Sequence, residues 1–213
     1  MIKSKERIAE FGEVFTSDRE VKAMLELVAE ETIRIDSRFL EPACGDGNFL
    51  IEILEKKLRV ISSKYSINQL DYERNAFTAI SSLYGIDLLE DNVLNCRKRL
   101  LSYFKEKYEN LFVKSLNLKL YDSLEHVLKK DIIHGDALTL LTVNTKEAIV
   151  FSEWNFAIGS KVRQVEYTFN NLIAYQPFES DSLFSDLGEE AFLPKPFKSH
   201  SLKHFMQLSD DII

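Results

Sequence analysis

An α/β fold built on a parallel sheet is predicted for this chain by three observations. Strand-like apolar runs alternate with helix-like segments over the first 140 or so of its 213 residues. Three of those runs end in an acid, at Glu41, Asp87 and Asp136. The first passes through a glycine-bearing turn, Cys44-Gly45-Asp46-Gly47, straight into an amphipathic segment. Strands that alternate with helices pair in parallel, and ligands of such sheets lie at the carboxyl ends of the strands. The three acids are therefore expected at one edge.

Each element has its own signal. Ser17-Asp18-Arg19-Glu20 matches a capping box, and Val21, Met24, Leu25 and Val28 form a stripe behind it, which predicts a helix over 18–31. Ile33, Ile35, Phe39 and Leu40 approach the glycine turn; Ile51, Ile53, Leu54 and Leu58 follow at helical spacing, so 38–61 reads as strand, turn and helix. Ala76, Phe77 and Ile80 share a face of a helix over Tyr72 to Ser82. Leu83-Tyr84-Gly85-Ile86-Asp87-Leu88 is an apolar run of buried-strand type. From Glu90 to about Tyr108, acids occupy the first turn, and Val93, Cys96, Leu100, Leu101, Phe104 and Tyr108 trace a helical stripe. Arg97-Lys98-Arg99 reads as the solvated face of that helix. A helix over 121–130 precedes the third strand, within Asp131 to Leu138.

Beyond 140 the pattern changes. Ala148 to Ile158 and Lys161 to Phe169 are β-rich runs joined by Gly159-Ser160, which predicts a hairpin. From about Tyr175 the chain is turn-rich and acidic, then mildly basic and aromatic (Lys195, Phe197, Lys198, His200, Lys203, His204, Phe205). Trp154 and Phe156 are expected on the core face of the hairpin, and Asn155 in a turn or edge role.

Composition bounds the function. A formal net charge of −7 argues against a nucleic-acid binder basic over its whole surface, though not against a local basic patch. Cys44 and Cys96 are the only cysteines, too few for a disulfide framework or a zinc site; no metal is expected, and a reducing, cytoplasmic setting fits. No run is long enough to span a bilayer, and the start lacks the apolar core of a signal peptide, so no membrane partner is expected. Cys44 reads as a small buried turn residue. His134 reads as a strand residue.

The stretch Leu40-Glu41-Pro42-Ala43-Cys44-Gly45-Asp46-Gly47-Asn48-Phe49 resembles the cofactor turn of the amino (adenine-N6) DNA methyltransferases of restriction–modification systems, of the kind called restriction endonuclease subunit M. Gly12-Glu13-Val14-Phe15-Thr16 resembles that family's first cofactor motif, with Ser17 where proline is common. The resemblance covers roughly residues 10–140. It implies a Rossmann-like methyltransferase sheet, complete or incomplete, over residues 1–145; the β-hairpin and irregular extension occupy 146–213. It implies S-adenosyl-L-methionine as cofactor. Phe15 and Thr16 would touch its methionine end, and Glu41 its amino group. Ala43, Gly45 and Gly47 would wrap it, with Asp87 accepting from the ribose hydroxyls and Leu88 beside the adenine. Asp136 would bond the adenine amine, with Ala137 and Leu138 alongside.

The family's catalytic signature, Asn or Asp followed by two prolines and an aromatic, has no counterpart: the four prolines (Pro42, Pro177, Pro194, Pro196) are never adjacent. Gln176-Pro177-Phe178 is the nearest echo. Catalytic residues are accordingly left unassigned. The expectation is the cofactor-binding component of an adenine-specific DNA methyltransferase, with a protein partner carrying the catalytic half and the DNA recognition. A non-catalytic scaffold subunit, or a methyltransferase of RNA, protein or small molecules, is the alternative. A nicotinamide-dinucleotide site fits poorly, because the turn lacks a third glycine.

Overall fold

The computed structural model describes residues 16–174 and 194–209. Its elements in chain order begin with α1 (Asp18–Glu26), α2 (Ala29–Thr32), β1 (Phe39–Glu41), α3 (Asn48–Tyr65), α4 (Gln69–Ile80) and β2 (Leu83–Asp87). There follow α5 (Glu90–Leu111), α6 (Leu118–Asp131), β3 (Ile132–Asp136), β4 (Leu141–Thr142) and the hairpin β5 (Val150–Ile158) and β6 (Lys161–Thr168). α7 (Phe169–Ile173), β7 (Lys198–Ser199) and β8 (Lys203–His204) complete the described residues.

The fold is α/β with a mixed first sheet. Its order is β1-β2-β3-β4, parallel between β1, β2 and β3 and antiparallel between β3 and β4. Among the described residues β1 is an outer strand. Phe39 N–H donates to Ser82 O, so the alternation of the ladder turns the Leu40 N–H and C=O away from β2. The second sheet is antiparallel: β5 pairs β6, and β6 also pairs β7 and β8.

The capping box at Ser17 forms as the sequence predicts, with the Ser17 side chain accepting from the Glu20 N–H and the Glu20 carboxylate accepting from the Ser17 N–H. The predicted helix over 18–31 breaks at Leu27–Val28 into α1 and α2. On one face of the first sheet, Leu83 and Ile132 meet the helices in a core that runs from Val21 through Leu54, Phe77, Leu100, Phe104 and Leu124 to Phe205 and Leu208. On the other, Tyr84, Ile86 and Ile133 pack against Ile149, Phe151 and Phe169 at the root of the hairpin. Trp154 is buried edge-on to Phe77, and Phe156 lies edge-on to Phe77 and Phe205. The aromatic pair thus serves the core. Asn155 is exposed, donating to Glu153 Oε1.

Two buried polar groups fasten the sheet at its N-terminal edge. The Lys57 ammonium donates to Ile35 O at 3.1 Å, to Ser37 O and to Ser82 Oγ, joining the approaches to β1 and β2. Burial pulls its pKa down to about 7. Asp131, fully buried, accepts from Ser152 N–H and Trp154 Nε1–H, both at 2.9 Å, and so pins β5 to the end of α6. Burial pushes its carboxyl well above the ordinary range, the two donated hydrogen bonds opposing only in part.

Candidate ligand site at the carboxyl edge of the sheet

Register determines what the edge presents. Glu41 stands level with Gly85, Asp87 two residues further along β2; Asp87 stands level with His134, Asp136 two residues further along β3. Paired residues in a parallel ladder share a face, so Glu41, Asp87 and Asp136 all fall on the helix-covered face. They rise like stairs. At about 3.3 Å per residue and 4.8 Å per strand, neighbouring acids are separated by roughly 8 Å between Cα atoms.

The turn after β1 folds onto β2. Cys44 N–H donates to Ile86 O at 2.9 Å, extending the ladder, and Gly45 N–H donates to Asp87 Oδ2 at 2.9 Å. Gly45 (φ +52°) and Gly47 (φ +92°) occupy the left-handed region that side chains resist. Their surroundings differ. A Cβ on Gly45 would meet open space, whereas one on Gly47 would lie 2.7 Å from Cys96 Sγ. Gly47 is the N-cap of α3 with no side chain to cap it, so the first N–H groups of that helix face the turn.

Cys44 is buried as expected, and Cys96 beside it is wholly so. Contact with Cys96 and burial push the Cys44 thiol far up, which leaves it inert.

The three acids are held differently. Glu41 is half-buried, and loss of hydration raises its carboxyl, offset in part by the Ala43 N–H at 3.3 Å. Asp87 accepts at Oδ1 from Leu89 N–H (2.9 Å) and Asn92 Nδ2 (3.1 Å), besides Gly45 N–H at Oδ2. A carboxylate has about four acceptor directions. Among the described residues, these three donors leave a direction on Oδ2 for a ligand. Asp136 accepts from Leu138 N–H at 2.9 Å, which holds its carboxyl below the ordinary range.

Apolar side chains flank the acids. Leu88 is exposed, and Leu138 is 94% exposed beside Asp136. Ala43 is exposed on the turn, and Ala137 is half-buried against the Tyr84–Phe151 cluster. Thr16 comes to the turn through its carbonyl, which accepts from Asn48 Nδ2 at 3.4 Å. Phe15 and the rest of Gly12-Glu13-Val14-Phe15, like Gln176-Pro177-Phe178, lie outside the described residues.

Several supporting residues escape a sequence reading. Asn92 is buried against Asp87, and His134 Nε2 lies 2.9 Å from Leu88 O, tying β3 to the loop after β2. Arg99 Nη1 donates to Asp46 O (2.7 Å) and Asn48 Oδ1 (3.0 Å) and pairs with the Asp46 carboxylate at 3.0 Å. Arg97 Nε donates to Ile132 O at 2.9 Å. The run Arg97-Lys98-Arg99 is therefore a solvated face only at Lys98. The i, i+2 spacing of two arginines on flanking faces was the available signal.

What the edge offers is a set of hydrogen-bond acceptors beside helix N–H groups and apolar patches. Arg99 neutralises Asp46, so the negative charge left at this edge is that of the trio. Such a place favours a ligand that carries a cation and hydroxyl or amine donors. Among the described residues no group of three or more His, Cys, Asp or Glu could hold a metal ion, and no helix is long and apolar enough to cross a membrane. No protein-family model matches the chain, and neither the curated proteins nor the solved structures contain a match to it.

Proposed function

We propose that the chain binds S-adenosyl-L-methionine at the carboxyl edge of β1, β2 and β3 and acts as the cofactor component of an adenine-N6 DNA methyltransferase. The observation that carries this reading is the trio Glu41, Asp87 and Asp136 on one face of three consecutive parallel strands, beside a turn with two left-handed glycines. Glu41 would meet the methionine ammonium, an ion pair strengthened by its partial burial. Asp87 Oδ2 would accept from one ribose hydroxyl, Asp136 from the adenine amine. Leu88 and Leu138 would lie against the adenine ring, with Ala137 beside them, and Thr16, Ala43, Gly45 and Gly47 would line the methionine end.

The catalytic half is assigned to a partner. No proline pair exists in the chain, and the segment after β4 forms an antiparallel hairpin rather than a strand beside β1. Among the described residues, the outward Leu40 backbone leaves that side of the sheet open to another strand. Methyl transfer to an exocyclic amine depends mainly on positioning, so a partner that holds the flipped adenine over this edge would complete the site. The same observations favour a second reading, a cofactor-binding scaffold without transfer.

Calorimetric titration with S-adenosyl-L-methionine tests the proposal. Wild type should bind, and Glu41→Ala and Asp136→Ala should each weaken binding about ten-fold or more, as loss of a charge-assisted hydrogen bond worth about 1.5–3 kcal/mol requires. Unchanged affinity in both variants would refute the pocket.

A further inference from the structure

Among the described residues, lysines gather at the opposite edge of the sheet. α6 ends at Asp131, immediately before β3, so its last turn lies at the N-terminal edge of the sheet, away from the acid trio. There Lys129 and Lys130 are exposed. The second sheet adds Lys198, level with Glu166 on β6, and Lys203, level with Val162. Residues 194–209 contain three lysines and two histidines and no acid.

These cations converge rather than scatter. Burial depresses the pKa of His126 on α6, and the nearby charges of Lys130, Lys203 and Lys129 lower it further. Lys130 Nζ stands 3.7 Å and His200 Nε2 3.4 Å from Glu166 Oε1, the carboxylate they share. Lys129 pairs with Glu125 at 2.7 Å on the helix surface. Asp131 is sealed in the core and adds no charge to the surface.

Beside Lys203 is a cavity of ≈ 120 Å³ lined by Trp154, Val162, Gln164, His200, Ser201 and Leu208 as well. It is small for a nucleoside and sized for one phosphate group. Phe197, 61% exposed, stands next to Lys198.

We propose that this face, centred on Lys129, Lys130, Lys198 and Lys203, binds the phosphate backbone of duplex DNA, one phosphate seated in the His200–Ser201–Lys203 cavity. The choice of duplex DNA rests on the function proposed above; the charge and the cavity do not. Clustered lysines in a chain of net charge −7 concentrate attraction on one side, while the acid edge repels phosphates. The face anchors DNA. It does not deliver a base to the cofactor edge of the same chain, which lies at the other end of the strands.

The test is fluorescence anisotropy of a labelled duplex DNA oligonucleotide against the full chain over a salt series. Binding should weaken with salt, and the double variant Lys129→Gln/Lys198→Gln should flatten the log–log slope by about 2, roughly one per lysine. Lys114→Gln, in the loop after α5, should change nothing. No binding at low salt, an unchanged slope in the double variant, an equal effect of Lys114→Gln, or stronger competition by single-stranded RNA than by duplex would each overturn the proposal. Calorimetry with S-adenosyl-L-methionine on the same double variant separates the two claims: cofactor affinity should equal that of wild type. Cofactor failure with the predicted DNA slopes would refute the cofactor reading alone.

Discussion

At the residue scale, Gly45 and Gly47 look interchangeable in the sequence and are not. Both need a positive φ, but only Gly47 has a neighbour, Cys96 Sγ, where a Cβ would go. Gly45→Ala should cost about 1 kcal/mol, the penalty of a left-handed side chain. Gly47→Ala adds overpacking against α5 and should cost about 2–4 kcal/mol in all. Urea denaturation of the two variants checks the order; equal losses would show that the turn is looser than described. The turn itself was legible because glycine spacing before an apolar stripe is a local signal. Its supports were not: His134 reaches Leu88 O only through the pairing of β2 with β3, and Asn92 reaches back to Asp87 from the first turn of α5, a contact that no residue spacing announces.

At the element scale, Asp131 is the link between α6 and the hairpin. Truncating it leaves the Ser152 N–H and the Trp154 indole N–H without their acceptor in the core, and Asp131→Ala should cost about 2–5 kcal/mol. Its folded pKa is raised, so the folded state holds the proton more tightly than the unfolded chain. Stability from this group is therefore fullest below the ordinary carboxylate range and declines as pH rises through the folded value. Asp131→Asn should remove that decline, which thermal melts of both proteins from pH 4 to 8 would reveal; parallel pH profiles would contradict the assignment.

Long elements with a clear period were read from the sequence to within a few residues, as with α5, predicted over 90–108 and found at Glu90–Leu111. Short ones were not. β4 has two residues and no periodicity, and exists because Gly135 and Asp136 offer it a ladder. The break at Leu27–Val28 follows no glycine or proline, so nothing in the sequence marks it. Arg97 was misplaced on a solvated face because its acceptor, Ile132 O, lies 35 residues away.

At the scale of the whole molecule, the sheet separates two chemistries. Its carboxyl edge carries Glu41, Asp87 and Asp136; its amino edge is flanked by the lysines of α6 and the second sheet. The strand-and-acid alternation made the first edge legible in advance. The second became visible only when β7 and β8 paired with β6 and brought Lys198 and Lys203 alongside α6. A cationic cofactor and an anionic polymer would thus be drawn to opposite ends without competing.

A backbone-amide NMR titration with S-adenosyl-L-methionine decides whether the acid-lined edge holds the cofactor. Shifts should concentrate at Gly45, Gly47, Leu88, Leu89 and Leu138, with the amides of Lys198 to His204 unmoved. Shifts confined to the lysine-rich edge, or none at millimolar cofactor, would contradict cofactor binding at the acid-lined edge.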